Sequence, residues 1–222
     1  MGVWSENIVG RFDIRIIVIE LATFLFAITV HESSHAATAN YFGDPTAKRL
    51  GRISLNPWRH IDIFGTVILP IILTIIGAPV IGWAKPVPVN PTNLRQPRRD
   101  YMLVSVAGPA SNLAMACIFA GAFYLLRLYY GFLPSPIVQP ISLILQYSCI
   151  INLYLALFNM IPVQPLDGSS VLACFLPRDL AAKFMSFQSY GFIVLYLLVY
   201  LGVLQKVINP VAGFILNLLG LR

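Results

Sequence analysis

Charge is what this chain has least of. Asp, Glu, Lys and Arg make up 11% of its 222 residues, against 58% hydrophobic residues and a mean hydropathy of +0.77. So few polar side chains cannot cover a soluble globule of this size, which excludes a water-soluble enzyme or binding module. Cysteine is scarce as well. Cys117, Cys149 and Cys174 are odd in number, lack CxxC spacing, and the first two fall in apolar segments, so neither a disulfide framework nor a cysteine zinc site is expected. The chain has no internal repeat and no low-complexity tract. Its net charge of +6 does not point to nucleic acid, because the basic residues sit in short loops between apolar runs, as juxtamembrane anchors do.

Apolar runs fill the space that charge leaves. Residues 14–38, 101–126, 137–161 and 186–205 are each long enough to cross a bilayer, and 207–220 is a shorter run. Each reads as a helix, since an isolated strand would strand its backbone polar groups in lipid. The run 64–82 is broken by Pro70, Gly77 and Pro79. Segments 43–63 and 82–100, rich in Pro, Gly and Asn, read as strands or loops against the membrane surface. The expectation is a single domain over residues 1–222: an all-α polytopic membrane protein with about five or six transmembrane helices, a re-entrant hairpin and short membrane-surface strands. Ala37-Thr38-Ala39 looks like a signal-peptidase site, but Glu20, His31, Glu32 and His35 interrupt the preceding apolar stretch, so the segment is expected to be retained.

At the end of the first run stands His31-Glu32-Ser33-Ser34-His35. On a helix, side chains four apart lie on one face with Cβ atoms roughly 5 to 6 Å apart, so two imidazoles can face one ion. Glu32 projects beside them and reaches a water near the metal without being a ligand, as a general base must. Ionisable groups inside a bilayer cost roughly 2.5 to 3.5 kcal/mol each, so their presence marks a functional site. A second cluster, Asn159-Met160-Ile161-Pro162-Val163-Gln164-Pro165-Leu166-Asp167-Gly168, ends the third long run. Its prolines stop the helix and place Asp167 on irregular backbone. Catalytic zinc commonly takes three protein ligands and one open position, which makes Asp167 the natural third ligand; the plainer reading is a turn-forming Asp. Asn159 is either a helix-packing amide or a group that holds a peptide backbone beside the metal. His60 and Asp62 read as an interfacial polar cluster that positions its loop, the alternative being a further metal ligand. Ala107, Ser111 and Ala114 lie at helical spacing and are expected to allow close helix packing.

These two motifs, in this order, resemble the signatures HExxH and NxxPxxPLDG of the site-2 protease family of intramembrane zinc metalloproteases. Ala107-Gly108-Pro109-Ala110-Ser111-Asn112 is similar to that family's small-residue segment on an intervening helix, and the likeness covers roughly residues 20–170. The segments Asn56–Asp62 and Gly82–Asn90 look like the compact branch that lacks PDZ and CBS modules. The resemblance implies one zinc ion per chain bound by His31, His35 and Asp167, with Glu32 as base and Asn159 positioning substrate. It implies hydrolysis of peptide bonds within or near transmembrane segments, with a membrane protein or peptide as substrate and the lipid bilayer as surroundings. A catalytically silent scaffold and a metal transporter are the rival readings; the first would lack Glu32 or a ligand, the second would spread polar groups over several helices.

Parity bears on topology. If 64–82 crossed fully, His35 and Asp167 would end on opposite faces, so this broken run is expected to enter and leave on one side. The loops 39–63, 83–100 and 162–185 with the C-terminal end then hold eleven basic residues, against Arg11, Arg15, Arg127 and Lys206 on the other side. That asymmetry places the metal site toward the cytoplasmic face, most naturally of the cell membrane. Nothing in the sequence sets an oligomeric state.

Overall fold

A computed structural model describes residues 14–129 and 134–221. Arg11 and the C-terminal Arg222, both counted in the charge asymmetry, lie outside the described residues. Helix α1 (Ile14–Tyr41) leads into the short α2 (Thr46–Arg49), and a loop follows. A π-helical turn, Ile63–Ile68, then runs into α3 (Leu69–Ile75), and an extended return leads to α4 (Pro97–Leu128). After α5 (Ser135–Asn159) come α6 (Asp167–Phe175), α7 (Arg178–Ser186), α8 (Gln188–Tyr200) and α9 (Val203–Leu218). Pro97 opens α4 where its missing N–H costs nothing, and Asp100 in the first turn accepts from the Gln96 N–H at 2.7 Å.

Among the described residues three helices, α1, α4 and α5, are long and apolar enough to cross a membrane, or four if α7 and α8, bent by 68°, count as one span. This is fewer than the five or six expected. Counting apolar residues overlooks breaks: the run 186–205 is divided at Phe187 and again at Gly202, whose φ of +70° lets the chain turn into the sixteen-residue α9. The described residues also contain no strand, so the surface strands are corrected to loops and short turns. Pro86 and Pro88 remove the N–H donors from one edge of the extended return, and among the described residues no second strand pairs with the other edge, where Val87 and Val89 stand.

The chain reverses within the run 64–82. Gly77, at φ +69°, closes α3, with the Ala78 N–H donating to the Leu73 carbonyl at 2.9 Å. The return leg comes back beside its start: the Trp83 N–H donates to Gly65 O at 3.2 Å, Thr66 Oγ1 to Trp83 O at 2.8 Å, and the Lys85 N–H to His60 O at 2.8 Å. Ile63, Phe64, Ile71, Ile72, Ile75 and Ile76 point outward, an apolar surface suited to lipid. Because the hairpin does not change sides, α1 and α4 run antiparallel. Ala27, His31 and His35 accordingly meet Asn112 and Val104 in reverse order.

The buried face of α4 is Val104, Gly108, Asn112, Ala116 and Ala120, while Ala114 is exposed. The packing stripe thus runs through Gly108, Asn112 and Ala116, and not through Ala107, Ser111 and Ala114. Ala116 and Ala120 join Cys149 and Leu153 of α5 and Leu204, Ile208 and Ala212 of α9 in the apolar core.

The hairpin predicts that single cysteines replacing Leu55 and Pro88, in a chain otherwise free of cysteine, react with an impermeant reagent from the same face, and one replacing Tyr129 from the opposite face. Labelling of positions 55 and 88 from opposite faces would contradict it.

Candidate metal centre

His31 and His35, one turn apart on α1, are both buried, with rings edge to face at 4.7 Å and Nε2 atoms 3.0 Å apart. Asp167 opens α6, where a loop through Pro162 and Pro165 turns back from the end of α5. That reversal needs Gly168, since a Cβ there would overlap the Met160 backbone. Asp167 Oδ2 lies 3.1 Å from His31 Nε2 and 3.3 Å from His35 Nε2. Among the described residues this is the one group of three such side chains placed to hold an ion.

The donor set fits zinc. Tetrahedral zinc with bonds of about 2.0 to 2.1 Å separates its ligand atoms by about 3.3 Å, close to all three edges of this triangle. The protons also point the right way. His31 Nδ1–H donates to Asn112 Oδ1 and His35 Nδ1–H to the Val104 carbonyl, each at 2.6 Å, which leaves both Nε2 lone pairs directed inward. Asp167 Oδ2, the third inward atom, is buried without a hydrogen-bond partner. Three acceptors facing one another call for a cation. Gly108 of α4 keeps their cradle open: a Cβ there would run into His35 Nε2 and lie 2.6 Å from His31 Nε2.

Glu32 is half-buried beside this group, and its carboxylate has no hydrogen-bond or ion-pair partner among the described residues. Asn159 ends α5 half-buried, its Nδ2 donating to Leu155 O at 3.0 Å within its own helix, so it does not act as an amide bridging two helices. His60 and Asp62 stay outside the metal group. His60 is fully buried with Nε2 on the Ser54 carbonyl at 2.8 Å, and Asp62 caps the π-helical turn by accepting from the Gly65 N–H at 2.7 Å. Both therefore position their loop. Burial holds the His60 pKa below the ordinary 6.5, and the Arg52 charge adds to this against the Ser54 hydrogen bond and the Glu32 charge.

Asn112 and Gly108 carry roles that motif reading did not assign. Both stand in the small-residue segment, where packing is the usual explanation. Only the proximity of α4 to the two imidazoles shows otherwise.

Fold and site together define a helical membrane protein with three side chains placed to hold one metal ion. The chain is 40% identical over 179 residues to YwhC of Bacillus subtilis, which carries a provisional zinc metalloprotease name; the match covers 79% of this chain and 77% of that one. It is 25% identical over 187 residues to the similarly named Rip2 of Mycolicibacterium smegmatis, covering 83% and 68%. With Rip2 of Mycobacterium tuberculosis it shares 29% over 157 residues, covering 71% and 57%. The chain belongs to this family of zinc metalloproteases. No family profile and no solved structure matches it.

Two outcomes follow. Gly108→Ala lowers zinc affinity at least about 10-fold, as disturbed metal surroundings do, while helix content by circular dichroism stays unchanged; undiminished zinc in the variant would contradict the cradle. His60 binds its proton less readily folded than unfolded, so its contribution lowers stability as pH falls below 6.5 toward the folded value and is flat above 6.5. Wild type should therefore lose melting temperature relative to His60→Gln on that acid side only.

Proposed function

We propose that this protein is an intramembrane zinc endopeptidase of the site-2 type, cutting peptide bonds within or near transmembrane segments of membrane proteins. The observation that carries the reading is the triangle of inward acceptors at the end of a membrane helix, with the Glu32 carboxylate, unpartnered among the described residues, next to it. In this reading His31, His35 and Asp167 hold one zinc ion. Bound there, zinc supplies Lewis acidity and a water of lowered pKa. Glu32 takes the proton released by the attacking water and delivers it to the nitrogen of the departing amine. Asn159, whose Oδ1 has no hydrogen-bond partner among the described residues, positions the substrate backbone.

A substrate helix hides its carbonyls in internal hydrogen bonds and must unwind to be cut. The extended return from Lys85 to Asn90 offers a surface for the unwound strand. The backbone N–H and C=O groups of Val87 and Val89 take no part in hydrogen bonding among the described residues, which supports pairing there. The basic loops favour a site toward the cytoplasmic face of the cell membrane, and the single bundle is read as the compact branch, a one-domain enzyme over residues 1–222.

The test compares wild type with Glu32→Gln on a membrane peptide, with zinc measured in both. The variant should keep its zinc and lose cleavage by about 10²- to 10⁴-fold, the usual worth of a general acid–base. Cleavage at the wild-type rate would overturn the assignment.

A further inference from the structure

Asn152 of α5 is fully buried and makes no hydrogen bond to either imidazole or to Asp167. Its Nδ2 donates to the Ser148 carbonyl at 2.8 Å, and its Oδ1 accepts from Asn112 Nδ2 at 2.9 Å. Asn112 Nδ2 also donates to the Ala27 carbonyl at 3.2 Å, and Asn112 Oδ1 faces His31 Nδ1 at 2.6 Å. A carboxamide has a donor end and an acceptor end, and rotating it by half a turn exchanges them. Backbone carbonyls do not have that freedom, because they only accept.

The direction of the chain follows. Ser148 O takes the NH₂ end of Asn152, which turns its oxygen toward α4. That oxygen and Ala27 O both require the NH₂ end of Asn112, which turns the Asn112 oxygen toward His31. Facing an acceptor, His31 must carry its proton on Nδ1, which leaves the lone pair on Nε2, the atom 3.1 Å from Asp167 Oδ2. With the Asn112 amide reversed, its NH₂ would face Nδ1, the proton would move to Nε2, and that nitrogen would have no lone pair for a metal.

We propose that Asn152 is a positioning residue for the metal centre: together with the Ala27 carbonyl it holds the Asn112 amide in the orientation that sets the tautomer in which His31 presents Nε2 to zinc. The inference rests on reading His31 as a zinc ligand, but the tautomer exists without the ion and is measured separately. His35 is independent of this relay, since its Nδ1 donates to the Val104 carbonyl.

The experiment uses the full chain in detergent micelles, labelled with ¹⁵N-histidine; the sequence has only three histidines, so each signal is separable. In zinc-free protein with neutral imidazoles, wild-type His31 should be protonated on Nδ1. Asn152→Leu removes the shorter of the two contacts to Asn112 Nδ2 and leaves only the Ala27 carbonyl at 3.2 Å, so it should raise the Nε2-protonated fraction of His31, leave His35 unchanged, and weaken zinc binding in chelator competition by about 10- to 100-fold. Asn152→Asp keeps an acceptor toward Asn112 and should keep the wild-type tautomer. The proposal is overturned if Asn152→Leu leaves the tautomer unchanged, even with zinc affinity lost, because loosened packing alone would do that. It is equally overturned if Asn152→Asp behaves like Asn152→Leu. A tautomer shift in a chain whose wild type binds no zinc would sink the metal reading and leave the relay standing.

Discussion

Two imidazole nitrogens and a carboxylate oxygen face one another at 3.0 to 3.3 Å inside a membrane bundle, each presenting a lone pair. Without a cation between them these atoms repel, and burial removes the water that would otherwise screen the repulsion. The surrounding structure holds them there nevertheless. Asn112 and the Val104 carbonyl draw the histidine protons outward, Gly108 gives the imidazoles room, and Gly168 lets the α5–α6 turn bring in Asp167. All of these groups come from α4 or from the α5–α6 turn. The centre therefore exists only when the helices are in register.

The hairpin secures that register. By returning the chain to the side it left, it makes α4 antiparallel to α1 and puts Val104 level with His35. Its feet are tied by polar groups, not by a sheet. The buried Arg52 guanidinium donates to the carbonyls of Arg59, Lys85 and Pro86, bridging the loop and the return leg. Asp44, just past α1, accepts from the Thr46 and Asn90 N–H groups, the Thr46 hydroxyl and Asn93 Nδ2. Burial opposes ionisation of Asp44, but these four hydrogen bonds outweigh it and hold its carboxyl below the usual range.

Much of this was legible in the sequence. The spacing of His31 and His35, the breaks around Asp167 and the parity of the apolar runs placed the metal group and the reversal at 64–82, because each depends on local rules that act whatever the partner. Three features escaped. The number of spans was overestimated because hydropathy sums residues and is blind to breaks such as Gly202. Strands were expected where Pro86 and Pro88 deny one edge its donors and, among the described residues, no second strand meets the other. The roles of Gly108, Asn112 and Asn152 depend on which helix faces which, and an asparagine in an apolar run looks the same whether it packs a helix or orients a ligand.

The most direct measurement is zinc K-edge X-ray absorption on the purified chain. The account predicts a first shell of nitrogen and oxygen donors at about 2.0 to 2.1 Å, with the outer-shell scattering of two imidazoles. A sulfur shell at about 2.3 Å, or scattering from fewer than two imidazoles, would contradict it.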